Sequence, residues 1–265
     1  MRQAEKVDLG SDDWTMEIRP YASAFHFPIK ELWEYRDLLF LFVRRDFKTM
    51  YKQTILGPAW ILLSPLLTTG MFSLIFGRIA GISTDGTPAF LFYMAGNILW
   101  NYFSSCLSAA SSAVSKLITF GAQFLLFLIL LFCSLGSGQV RITWLCLMTP
   151  VLLVMLALLA IGTGMILASL TAKYRDLQVL VGFGIQLWMY ASPIVYPLSQ
   201  IPGKWRILLS LNPVAYIVEC FRYGWLGSGI VSIPNLMIGL GIILLILFVG
   251  TVMFNKTQRN FMDTV

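Results

Sequence analysis

Residues 31–60, ELWEYRDLLFLFVRRDFKTMYKQTILGPAW, carry a helical pattern that ends abruptly in an apolar run. At 100° per residue, Leu32, Leu39, Val43, Phe47 and Met50 share one face, and Glu34, Asp37, Arg44, Arg45, Lys48 and Lys52 share the other. Acidic residues come early and basic ones late, which suits the helix dipole at both ends. The pattern predicts an amphipathic helix over 30–56 that lies at a membrane surface, after a polar lead-in over 1–29. Gly57-Pro58 then breaks the period, and six segments approach the roughly 20 apolar residues needed to cross a bilayer. They lie near 57–79, 89–112, 117–135, 142–169, 179–197 and 233–254, within a membrane domain of 57–265. The runs are continuous rather than alternating, so the fold predicted is an all-α membrane protein with six transmembrane helices and no barrel.

Composition strengthens this picture. The chain is 57% hydrophobic and only 12% charged, against roughly 25% charged residues in soluble domains. Most of its 19 Lys and Arg residues fall on the side of the N-terminus, and only Arg78, Arg141, Lys204, Arg206 and Arg222 fall on the other. The positive-inside rule therefore places both termini in the cytoplasm. The net charge of +6 reflects that topology rather than nucleic-acid binding. Cys106, Cys133, Cys146 and Cys220 lie in or beside apolar segments without metal-like spacing, and His26 is alone, so no metal site is expected.

Pro193 to Leu226 does not fit a simple loop. Pro193, Pro197, Pro202 and Pro213 separate two apolar runs, each too short to cross alone. Irregular backbone at membrane depth needs protein or a water-filled cavity around it. Two short re-entrant helices dipping in from the outer side satisfy that rule; an interfacial loop with aromatic anchors is the alternative. Glu219 and Arg222, three apart, are spaced to satisfy each other.

The run RRDFKTMYKQTILGPAW (44–60), the stretch TAKYRDLQVLVGFGIQLWMYASPIVYP (171–197) and NPVAYIVECFRYGWLG (212–227) together resemble the membrane subunit of ABC-2-type polysaccharide exporters. The resemblance covers nearly the whole chain from about Pro28. It implies a permease of the bacterial inner membrane that works as a homodimer with two copies of a separate ATPase. The cargo it implies is a lipid-linked glycan of the O-antigen, capsule or teichoic-acid kind. ATP and Mg would be bound by the partner; this chain has no G-x-x-x-x-G-K-[ST] loop and needs no cofactor of its own. One departure stands out. Relatives usually carry a cytoplasmic K-x-Y-F-P-R stretch between spans two and three. Here LSAASSAVSKLITFGAQ runs straight into the third span, with Lys116 as its sole cation.

Under that resemblance three groups of residues become candidates. Lys173, Tyr174, Arg175 and Asp176 form a charged tetrad suited to a re-forming ATPase contact, or else serve only to hold topology. Arg44, Arg45, Lys48 and Lys52 suit a lipid pyrophosphate headgroup, or bulk anionic lipid. Tyr51, Trp60, Trp100, Tyr102, Trp188, Tyr190 and Tyr196, with polar companions Asn97, Asn101 and Gln186, suit a glycan path, an aromatic belt or ordinary packing. The re-entrant segment is marked by Pro193, Pro197, Asn212, Pro213, Glu219 and Arg222. A membrane-embedded transferase or an ion-coupled carrier would need carboxylates within the spans, and none lies mid-span. The closer rival is an ABC-2 exporter of a drug or another lipid.

Overall fold

The computed structural model describes residues 37–38, 41, 44–45, 56–108, 113–136, 138–174, 176–203, 205, 209 and 211–262. The lead-in over 1–29 lies outside them, as do Lys48, Tyr51, Lys52 and Arg175. Of the surface helix expected over 30–56, Asp37, Leu38, Leu41, Arg44, Arg45 and Leu56 are described; all six are exposed, and all but Leu56, which lies in a bend, are helical.

Seven α-helices of 13 residues or more lie among the described residues, which contain no strand. They are α1 (Trp60–Phe72), α2 (Ala89–Ser108), α3 (Ala113–Leu135), α4 (Thr149–Lys173), α5 (Leu177–Tyr190), α6 (Pro213–Leu226) and α7 (Ile233–Met262). Gly57-Pro58 opens a short 3-10 turn ahead of α1, where proline's missing N–H costs nothing. Pro65 sits inside α1, and the helix continues beyond Phe72 as a wider π-type turn over Ser73–Ile79. Among the described residues, four stretches are long and apolar enough to cross a membrane: Gly57–Ile79, Lys116–Leu135, Trp144–Ala172 and Ile233–Gln258.

The other two expected spans differ for separate reasons. α2 has the length, but Asn97, Asn101 and several serines dilute its apolar character. It can carry them because α1, α3, α4 and α6 pack around it, and residues Leu91 to Trp100 are all buried. α5 has 14 residues, about 21 Å of helix at 1.5 Å per residue, against a hydrocarbon core of roughly 30 Å. The expected segment ran to 197; the helix stops at Tyr190, and Ala191 to Ser192 turn into the buried Pro193–Val195 segment. Ser192-Pro193 is the reason: the residue before proline is pushed out of helical geometry.

α4 and α7 make the closest crossing. A Cβ on Gly162 would stand 2.8 Å from the backbone of Leu247, and one on Gly250 would run into the Gly162 carbonyl. With lipid outside as apolar as the side chains inside, such backbone contact is what holds membrane helices together. Polar side chains add cross-links: Asn97 Nδ2 donates to Pro65 O at 3.5 Å and to Thr69 Oγ1 at 3.4 Å, and Gln123 Nε2 donates to Ile61 O at 3.4 Å. The Pro65 and Ile61 carbonyls lie on α1, so it is tied to both α2 and α3.

Candidate functional site

The densest polar construction lies around α6, which is buried along nearly its whole length. Asn212 starts the helix. Its Oδ1 accepts from Val214 N at 3.1 Å and from Trp188 Nε1 at 3.3 Å, and its Nδ2 donates to Ser192 Oγ at 2.9 Å. One residue thus caps α6 and fastens it to the end of α5, with Pro213 preset for the first turn. At the other end Gly227 takes a left-handed conformation, φ 75°, and packs against the Arg141 carbonyl, where a side chain would collide. Thr143 N donates to Gly224 O at 2.8 Å, and Arg141 N to Leu226 O at 3.1 Å. The end of α6 is therefore laced by backbone to the segment that leads into α4.

Between these ends sit two charges withdrawn from solvent: Glu219 is 1% exposed and Arg222 is 0% exposed. The expected mutual pair is present at 3.4 Å, but it is not Arg222's shortest contact. Its Nη1 donates to Pro193 O and its Nη2 to Ile194 O, each at 2.6 Å, and its guanidinium lies 3.7 Å from the Phe92 ring centroid. Glu219 accepts from Leu198 N at 3.4 Å and from Ile230 N at 3.1 Å. A buried charge is tolerable when it is paired and hydrogen-bonded, and here, of the donors on the guanidinium, only Arg222 Nε goes without a partner among the described residues. The pair clamps the chain on both sides of Pro197 and the turn after α6 onto α2. Nearby, Ser199 Oγ donates to Asp85 Oδ1 at 2.8 Å, latching that same segment to the turn before α2.

The expected glycan-path residues divide. Asn97, Trp100 and Tyr102 are buried inside the chain, and Asn101, Trp188 and Tyr196 are half-buried. Trp100 packs on Phe103 with ring centroids 5.3 Å apart, Phe103 on Trp188 at 5.1 Å, and Tyr102 on Phe120 at 5.6 Å. Tyr196 Oη donates to Tyr190 O at 3.1 Å. Trp60, Gln186 and Tyr190 are exposed, on α1 and α5. In the tetrad, Lys173 ends α4, Tyr174 breaks helical geometry at its C-cap and is 51% exposed, and Asp176 precedes α5 and is exposed. Arg44 and Arg45 are exposed on a helix.

Three participants escaped the sequence reading: Phe92 as the face under Arg222, Asp85 as the latch for Ser199, and Gly96. A Cβ on Gly96 would lie 2.7 Å from Arg222 Nη2, so this glycine makes room for the guanidinium. Its only signal in the sequence was a small residue beside Asn97 in a span.

A short, largely buried, charge-clamped helix thus stands ahead of the last of the long apolar helices. Residues 107–226, from the end of α2 through α6, match the family model for the ABC-2 type transporter. Among individual relatives, it is 27% identical to the O-antigen export system permease protein RfbA of Myxococcus xanthus over 259 residues, covering 89% of this chain and 98% of the relative. It is 27% identical to the RfbA permease of Klebsiella pneumoniae over 252 residues, covering 86% and 94%. The inner membrane transport permease YadH of Escherichia coli K12 is 31% identical over 75 residues, 28% of this chain. In the first alignment, 89% of 265 residues is fewer than the 259 positions spanned, so the relative holds a stretch without a counterpart here.

Proposed function

We propose that this chain is the membrane subunit of an ABC exporter that carries a lipid-linked polysaccharide across the bacterial cytoplasmic membrane. Two copies would form the conduit, driven by two copies of a separate ATPase that binds ATP and Mg. The observation that carries the reading is the nearly end-to-end similarity to permeases named for O-antigen export, on top of the ABC-2 family match. The short YadH match favours a general ABC-2 permease less, because it leaves most of the chain unaligned.

Six spans follow if α2 is counted as sheltered by its neighbours and α5 as completed by the buried turn after it. α6 and the helical residues Gly203, Trp205 and Leu209 before it are then the re-entrant pair on the outer side. Exposed Arg44 and Arg45, with Lys48 and Lys52 beyond them, would meet the substrate's pyrophosphate. Trp60, Gln186 and Tyr190 offer exposed aromatic and amide surface to a sliding sugar chain, with Tyr51 nearby in sequence. Asn97, Asn101, Trp100, Tyr102, Trp188 and Tyr196 then hold the wall in place from behind. The break between α4 and α5, where Tyr174 and Asp176 are exposed, would supply the ATPase contact on the cytoplasmic side together with Lys173 and Arg175.

The test is co-expression with the ATPase subunit from the same source, followed by purification. A stable complex with two copies of each subunit supports the proposal; a permease that never retains the ATPase removes it. Within a recovered complex, Arg175→Glu should abolish stimulation of ATP hydrolysis while insertion stays normal. Unchanged stimulation would reduce the tetrad to a topological signal.

A further inference from the structure

Among the described residues, three buried side-chain atoms lack a hydrogen-bond partner: Tyr93 Oη, Arg222 Nε and Ser228 Oγ. Tyr93 and Arg222 are each 0% exposed, and a polar atom shut away without a partner costs stability. These two also share one neighbourhood. The Arg222 guanidinium lies 3.7 Å from the Phe92 ring centroid, and the Phe92 and Tyr93 rings meet edge-on with centroids 5.4 Å apart. Tyr93 and Arg222 are close enough to act on each other electrostatically. Pro193 O, Ile194 O and Glu219 Oε1 engage the two Nη atoms of Arg222, which leaves Nε as the one nitrogen of the fork to be answered. There is room beside the hydroxyl. A Cβ built on Gly77 would stand 3.9 Å from Tyr93 Oη and 3.5 Å from both Ala89 Cβ and Tyr93 Cε2. A space that admits a methyl group admits a water.

We propose that one internal water bridges Tyr93 Oη and Arg222 Nε and completes the hydrogen bonding of the buried clamp. The water oxygen accepts from Nε–H, and the phenol hydroxyl either donates to the water or accepts from it. Those two partners meet the minimum that an internal water needs. The ligand is neutral rather than an anion, because Glu219 at 3.4 Å already answers the guanidinium's charge and Asp85 acts on it as well. Tyr93 also rests against Phe76 and Gly77 in the π-type turn beyond α1. The water therefore carries the clamp's bonding from α6 to the side chain of α2 that packs on that turn.

The test needs neither ATPase nor glycan, so its outcome is separate from that of the export reading. The protein in lipid nanodiscs is given millisecond X-ray pulses, which turn water into hydroxyl radicals where it stands, and oxidised residues are mapped by mass spectrometry. Tyr93 should be labelled despite its burial, whereas Phe103 and Phe127, also 0% exposed, should not. After mixing with heavy-oxygen water, Tyr93 should take up the heavy isotope more slowly than Tyr174, which is 51% exposed. Tyr93→Phe supplies the energetic arm. A hydroxyl with nothing to bond is better removed, whereas one that holds a water is missed, so the unfolding midpoint in SDS should fall. Label at position 93 should drop to the level of Phe127. A parent whose Tyr93 stays unlabelled would overturn the proposal, as would a variant whose midpoint is unchanged or raised. A parent midpoint that rises with chloride, and no longer does so in Tyr93→Phe, would give the site to an anion instead. The labelling of the parent decides alone if the variant does not elute as the parent does.

Discussion

Replacing Arg222 by Met keeps much of the side-chain length and removes the charge. The substitution forfeits two charge-assisted bonds, to Pro193 O and Ile194 O at 2.6 Å each, worth about 1.5–3 kcal/mol apiece. It also forfeits the contact with the Phe92 ring at 3.7 Å, worth about 2 kcal/mol when desolvated. Removing the arginine also removes the cost of burying it, so these do not simply add. What decides the sign is Glu219, left buried at 1% exposure without its cation. Breaking a buried pair in this way costs about 3–5 kcal/mol, and that is the expected loss of stability. It would be read by intrinsic fluorescence during SDS titration in mixed micelles. Arg222→Lys should fall between, because a point ammonium cannot span two carbonyls as a planar fork does. Combining Arg222→Met with Glu219→Gln should recover about 1–3 kcal/mol relative to the sum of the single changes. A loss below about 1 kcal/mol for Arg222→Met, or strict additivity in the double variant, would refute the clamp as an energetic unit.

Substitutions at three further positions can be checked with the same unfolding assay. Gly96→Ala places a methyl group 2.7 Å from Arg222 Nη2 and 3.1 Å from the Ile194 carbonyl oxygen, and should cost about 1–3 kcal/mol through overpacking. Gly121→Ala on α3, with nothing within 4 Å, should instead be neutral or stabilising by up to about 1 kcal/mol. Asn212→Ala removes the α6 cap and the bonds to Trp188 and Ser192, and should cost about 2 kcal/mol. Asn212→Asp, which keeps the cap but cannot donate to Ser192, should recover part of that loss; equal losses in both variants would mean the cap carries none of the stability.

Local pattern was enough for the helices whose outer surface faces an apolar medium. Segments 57–79, 117–135, 142–169 and 233–254 were readable because lipid demands an unbroken apolar run, and each corresponds to a candidate span in the structure. The proline-divided segment after 193 was readable as irregular and short, since proline and length are properties of the chain itself. The Glu219–Arg222 spacing likewise announced a pair, and the pair forms. Its stronger bonds could not be read this way. The carbonyls of Pro193 and Ile194, the ring of Phe92 and the room beside Gly96 lie far from Arg222 in sequence, and every residue has a carbonyl.

Burial was the other quantity that waited for three dimensions. Asn97, Trp100 and Tyr102 were grouped with Trp60, Gln186 and Tyr190 by residue type, yet the first three are enclosed and the last three exposed. Amino-acid identity sets what a side chain can bond or cover; which neighbours surround it depends on how α1, α3, α4 and α6 close around α2. The sequence alone determined an all-helical chain cut to bilayer lengths, because the backbone's need for internal hydrogen bonds acts residue by residue. Tertiary packing alone decided which polar groups became clamps and which were left on the surface, because those bonds join segments that only the folded chain brings together.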